Sequence, residues 1–170
     1  MKTMLIVDGY NVIHGSEDLK RLSDIQLEEA REKLIEDLNG YAGFKGWETI
    51  LVFDAYRQET LDKREEIRGH IKVVFTEKNK TADTYIEKLV FGLPKAYTVL
   101  VVTSDYTLQR MVLASGGERV PTRELIEDME LTLKKFREDK KKSPQKQGLT
   151  LTDFMDEETL KQFRAMRIKE

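Results

Sequence analysis

Residues 4–11 read MLIVDGYN. An unbroken apolar run stops abruptly on a carboxylate, a glycine, an aromatic and an amide. Continuous apolarity without polar alternation is how a strand reads when both faces of a parallel sheet are covered. The pattern returns in TILVFD (49–54), IKVVFT (71–76) and TVLVVTSD (98–105). Helical patterns separate these runs. Leu27, Ala30, Leu34, Leu38 and Tyr41 recur at helical spacing, with Gly43 as the expected stop. Ala82, Ile86, Leu89 and Leu93 form a second stripe, with Thr81 as its N-cap. YTLQRMVLASGG (106–117) reads as a short helix closed by glycines, followed by a brief strand around Arg119–Val120 and a long charged helix from about Thr122. The segment 56–70 is polar without an apolar stripe, so an exposed helix or a loop is expected there. Strands alternating with helices mean an α/β fold with right-handed crossovers.

Composition narrows the function classes. The 170 residues suit one domain with a terminal appendage, and 39% hydrophobic with 35% charged residues means a globular core under a heavily charged surface. Cysteine is absent, which excludes disulfides and thiolate metal sites. His14 and His70 are too far apart in sequence for a local zinc motif. The start MKTMLIV is too short for a signal peptide and no stretch reaches membrane-spanning length, so a soluble cytoplasmic protein with no membrane partner is expected. A net charge of −2 argues against a general polyanion binder, yet residues 134–148 hold seven basic side chains and only two acids. Ser143–Pro144 breaks that basic stretch, and residues 151–170 read as a last amphipathic helix with Leu160, Phe163 and Met166 on one side.

Three of the four apolar runs end on aspartate, at Asp8, Asp54 and Asp105. The carboxyl ends of parallel strands line one edge of a sheet, where ligands bind at the topological switch point. Asp83 falls in the first turn of the helix that leaves this edge after residue 76, and Glu87 lies one turn further along the same face. Clustered like charges raise one another's pKa unless a positive charge sits among them, and these motifs carry no basic residue at the strand ends. A hard divalent cation, Mg²⁺ or Mn²⁺, suits such an oxygen cluster and points to phosphoryl-transfer chemistry without a protein nucleophile. Thr103 and Ser104 can hold a phosphate or cap a helix, and Asn11 can orient Asp8, contact substrate or simply turn the chain.

Other phosphate chemistries lack their residues here. There is no G-x-x-x-x-G-K-[ST] and no G-x-G-x-x-G. Tyr10 stands where a haloacid-dehalogenase-type phosphatase needs a second aspartate, and VPTRE lacks the lysine of a phospho-receiver domain.

DGYN (8–11), VFDA (52–55), TEKNKTAD (76–83) and TSD (103–105), in that order, resemble the NYN domain. This is a branch of the PIN-like nuclease superfamily, and its YacP-like bacterial group is the close match over roughly residues 3–125. The resemblance implies a PIN-like three-layer α/β fold. A central, mostly parallel sheet is flanked by helices, with a nuclease domain at 1–133 and a basic helical C-terminal extension at 134–170. It also implies a metal-dependent endoribonuclease using Mg²⁺ or Mn²⁺, with metal-activated water attacking the phosphodiester and no small-molecule cofactor. Carried over by position, Asp8 and Asp83 are the principal catalytic metal ligands, and Asp105 completes the cluster. Asp54 is an outer or second-metal ligand, and Asn11 is the orienting amide.

The group is associated with mRNA cleavage in connection with translating ribosomes, which implies mRNA as substrate and the ribosome as partner. Flanking Arg57, Lys78, Lys80 and Arg110 are the expected phosphate-tracking residues, together with Thr103 and Ser104. Lys63, Arg64 and Arg68 are further cations of that rim, and Tyr10 or Tyr106 is available for base stacking. A non-catalytic RNA- or ribosome-binding module is the alternative, and a nuclease for structured DNA ranks below both.

Overall fold

The computed structural model of the chain describes residues 2–54 and 64–142. Twelve elements follow in order: β1 (Lys2–Asp8), α1 (Gly9–Gly15), α2 (Glu17–Ile25), α3 (Leu27–Lys45), β2 (Glu48–Phe53), β3 (Arg64–Arg68), β4 (Ile71–Phe75), α4 (Ala82–Gly92), β5 (Tyr97–Val102), α5 (Tyr106–Ala114), β6 (Glu118–Val120) and α6 (Thr122–Lys142). The six strands form one sheet in the order β3-β4-β2-β1-β5-β6. Every pairing is parallel except β3 with β4.

Strand periodicity divides the core into two layers. Leu5 and Val7 of β1, Leu51 and Phe53 of β2, and Val73 and Phe75 of β4 pack with α1, α2, α3 and α6. The alternate residues Met4, Ile6, Ile50, Val52 and Val74 pack with α4 and α5. Successive side chains on a strand point to opposite faces, so the even positions of β1 and β2 all look toward α4 and α5. Continuing that alternation carries Asp8 to the α4–α5 side. β1 lies at the centre, with the chain running outward through β2 and β4 on one side before returning through α4 to β5 on the other. The switch point is therefore the crevice between the carboxyl ends of β1 and β5.

Three expectations need correction. Residues 64–68 are neither helix nor loop but the antiparallel edge strand β3. Its arginines and glutamates left no apolar signal, because an edge strand is covered on few sides and charge there deters edge-to-edge pairing. Gly43 does not stop α3, which runs to Lys45 and closes on Gly46 in the left-handed conformation (φ 66°). Gly43 instead makes room for the His70 ring, 2.7 Å from where its Cβ would stand. β5 ends at Val102, so Thr103, Ser104 and Asp105 form the exit from the strand.

Two helices, α1 and α2, fill the stretch between β1 and α3. The chain divides into a compact unit ending at Phe136 and one spanning Arg137–Glu170, of which only the helical part to Lys142 is described. The Ser143–Pro144 break and the helix expected at 151–170 lie outside the described residues. Among those that are described, no helix is long and apolar enough to cross a membrane.

Candidate active site

Asp8 is both the last residue of β1 and the N-cap of α1. Its Oδ1 accepts the Asn11 backbone N–H at 3.3 Å, and its Oδ2 accepts the Asn11 side-chain amide at 2.5 Å. That amide also reaches Thr103 Oγ1 at 3.5 Å, and the Ser104 hydroxyl donates to Asn11 Oδ1. Asn11 thus ties the exit of β1 to the exit of β5. Thr103 is buried and Ser104 exposed, so Thr103 serves the internal network while Ser104 faces solvent. Asp105 caps α5, accepting the Leu108 N–H at 2.7 Å, and its own N–H donates to Thr103 Oγ1 at 3.1 Å. Capping does not exhaust a carboxylate, which retains a second oxygen.

Asp83 sits in the first turn of α4, as expected, with Thr81 as the N-cap accepting the Thr84 N–H at 3.2 Å. The electrostatics show that these acids share one region. Burial is the largest influence on Asp8 and raises its pKa to about 6, against the two lowering hydrogen bonds from Asn11; the charges of Asp83 and Asp54 push it further up. Burial likewise raises Asp83, with the charges of Asp105 and Asp54 adding to it. No positive charge appears among these influences. Asp8 and Asp83 therefore feel the negative charge of neighbouring aspartates as well as burial, and both influences oppose their ionisation.

Among the described residues, no group of three or more histidine or carboxylate side chains stands in a metal-holding arrangement. The donor chemistry nonetheless fits a hard cation. Asp83 Oδ1 is buried with no hydrogen-bond partner, which is costly for an acceptor unless something positive occupies its lone pairs. A cavity of about 270 Å³ opens beside it, lined by Asp83, Glu87 and Asp105 together with Thr107, Leu108 and Met111. A wider cavity of about 670 Å³ lies at Glu29, Glu32, Asn39 and Arg68, and includes none of the aspartates.

The basic rim divides. Lys78, Lys80 and Arg110 are exposed on the β4–α4 connection and on α5, with Lys80 paired to Glu77 at 2.8 Å. Arg57 and Lys63 lie outside the described residues. Arg68 is bound to Glu32 at 2.5 Å, and Arg64 lies over the Phe75 ring at 4.4 Å. Tyr10 is half-buried and held from two sides. Its ring packs edge-on against Phe53 at 5.3 Å, and its hydroxyl accepts from Arg31 Nε at 3.0 Å. Tyr106 is 71% exposed at the start of α5.

The sequence reading missed Arg31, a buried cation of α3 that braces Tyr10 and pairs with Glu28 at 2.5 Å. Its one signal was the Glu28–Arg31 spacing, which ordinarily marks an exposed helix pair.

Comparison with known proteins points to one family. Residues 5–168 match the YacP-like NYN domain. The chain is 40% identical to YacP of Bacillus subtilis (strain 168) over 128 residues, which is 75% of each sequence. Its structure resembles that of Rae1 (YacP) from Bacillus subtilis with a TM-score of 0.74 and 35% identity, covering 99% of this chain and 96% of that one. A mutant form of the same protein matches with a TM-score of 0.69 and 34% identity, over 86% of this chain and 87% of the other.

Proposed function

Because the chain belongs to the YacP-like NYN domain family, a branch of the PIN-like nucleases, we propose that it is a metal-dependent endoribonuclease that cleaves mRNA in the cytoplasm. The observation that carries this reading is the convergence of Asp8, Asp54, Asp83 and Asp105, with one buried Asp83 oxygen left without a partner. A protein that only bound RNA would gain nothing by turning four carboxylates toward phosphate.

Asp8 and Asp83 would hold the cation, with Asp105 and Asp54 adding negative charge around it. Bound Mg²⁺ or Mn²⁺ supplies Lewis-acid polarisation of the phosphodiester and lowers the pKa of an attacking water. The chain's own residues do the rest. Asn11 keeps both Asp8 oxygens oriented, and Ser104 and Thr103 keep Asn11 in place. Fixing a carboxylate this way removes the reorganisation that would otherwise accompany each turnover. Lys78, Lys80 and Arg110, with Arg57, draw the RNA backbone toward an edge that would otherwise repel it. The ribosome as partner rests on the family alone.

The test is cleavage of RNA, free and on translating ribosomes, in Mn²⁺ or in chelator. Wild type should cleave only with metal, and Asp8→Asn and Asp83→Asn should each lose activity by at least about a hundredfold, on the scale of losing an electrostatic catalytic group. Cleavage that survives both substitutions rules out this site. RNA binding without cleavage, on ribosomes as well as off them, makes the protein a binding module.

A further inference from the structure

Helix α4 starts at the catalytic edge, and its first turns separate two cavities of opposite character. Asp83 and Glu87, one turn apart, line the acidic cavity with Asp105. Thr84 and Lys88, also one turn apart, line a cavity of about 200 Å³ with Thr76, Glu77, Lys80 and Tyr85. Residues four apart share a helix face, whereas adjacent residues diverge by about 100°, so a single helix presents both linings. Thr84 borders both cavities. The sign of the charge thus reverses across the width of one helix.

Among the described residues, the lining of this second cavity sums to one positive charge. Lys80 is paired with Glu77 at 2.8 Å, whereas Lys88 makes no ion pair among the described residues. One net positive charge matches one phosphodiester. The threonines are arranged to add a donor. Thr81 Oγ1 accepts the Thr84 N–H and lies 2.9 Å from Thr84 Oγ1. If Thr81 donates its hydroxyl hydrogen to Thr84, the Thr84 hydroxyl hydrogen is left over for a ligand.

RNA crossing an acidic site carries phosphates on both sides of the scissile bond, and these need counter-charge that the aspartates cannot supply. We propose that the Thr84–Lys88 cavity seats the phosphodiester next to the scissile one, with Lys88 supplying the charge and Thr84 a hydrogen bond. The subsite rests on the endoribonuclease reading for its place in the reaction, and on the cavity and its charge for its ligand. It makes α4 the divider that sets the strand's path: one phosphate on the lysine side, the next on the aspartate side.

The experiment compares the full-length wild type with Lys88→Ala and Lys88→Arg. Binding of a single-stranded RNA oligonucleotide is measured in chelator between 50 and 200 mM salt, and steady-state cleavage in Mn²⁺. Leaving one phosphate without its cation should lower the slope of log affinity against log salt by about 0.7, the single-strand value per phosphate neutralised. In cleavage, KM should rise with kcat held within about twofold, the pattern of lost uniform binding. Lys88→Arg should restore both.

A set of oligonucleotides, each with one neutral methylphosphonate linkage, locates the subsite. One linkage beside the scissile bond should weaken wild type and leave Lys88→Ala unaffected. An unchanged salt slope and KM in a folded Lys88→Ala, or equal methylphosphonate penalties in both proteins, overturns the subsite even if the enzyme cleaves. A reduced slope in a protein that never cleaves overturns the nuclease reading and retains the phosphate site. Failure of wild type to bind RNA at all overturns both.

Discussion

Asp8 carries a negative charge in a place that resists it. Its pKa stands at about 6 in the folded chain, above the ordinary aspartate value near 3.8. Between those limits the folded state binds more protons at Asp8 than the unfolded one, so the contribution of this one group to stability is greatest below about pH 4 and is lost as pH rises through about 6. The penalty at neutral pH is on the order of 3 kcal/mol, at about 1.4 kcal/mol per pKa unit. Asp8→Asn should therefore raise the melting midpoint of the chelated protein at pH 7.5, with the gain fading toward pH 4. An equal gain at both pH values would show that the charge is not its source. A divalent cation relieves the same penalty and requires deprotonated ligands. Mn²⁺ should accordingly stabilise wild type more at pH 7.5 than at pH 5, and Asp83→Asn should blunt that stabilisation, both read by thermal melts with and without chelator.

The elements matter because they deliver these side chains within narrow tolerances. β1 passes into α1 without an intervening residue, which places Asp8 at a strand end and a helix cap at once. Gly9 makes the junction possible. A Cβ there would stand 2.6 Å from Cδ1 of Phe53, whose ring stacks with Phe75 at 5.4 Å. Gly9→Ala should cost about 1–3 kcal/mol, as overpacking does. It should also lower kcat by displacing Asp8 and Asn11. Denaturant unfolding would show this cost shrinking in a Phe53→Leu background, because the two positions share one space. α4 depends on its cap in the same way: Thr81→Ala should lose about 1 kcal/mol, the usual worth of an N-cap hydroxyl.

For the whole molecule, the proposed function raises the question of how a chain of net charge −2 would bind a polyanion at its acidic edge. The cations that would answer it are distributed: Lys78, Lys80, Lys88 and Arg110 near the edge, and the lysine-rich stretch 134–148 on the extension. If that stretch tracks phosphate, replacing Lys140, Lys141 and Lys142 together by Gln should lower RNA affinity at low salt. The salt slope should fall by about 0.7 for each phosphate no longer neutralised, and folding stability should stay unchanged. An unaltered slope would assign that stretch to something other than RNA.

Much of this protein was legible in its sequence because two regularities act locally. Covered strands of a parallel sheet are apolar throughout, which exposed β1, β2, β4 and β5. Parallel strands end at one edge, which brings Asp8, Asp54 and Asp105 together on sequence grounds. Asp83 follows because the helix after β4 starts at that edge. Distance in three dimensions decided the rest. Only the strand order placed β1 beside β5, letting Asn11 join Asp8 to Thr103 and Ser104 across about ninety residues of chain. Only packing turned Tyr10 inward to Arg31, made a polar segment into the edge strand β3, and set Glu87 and Lys88 in cavities of opposite sign. Local periodicity determines which face and which end of an element a side chain occupies. What stands opposite it depends on long-range pairing that no short stretch of sequence encodes.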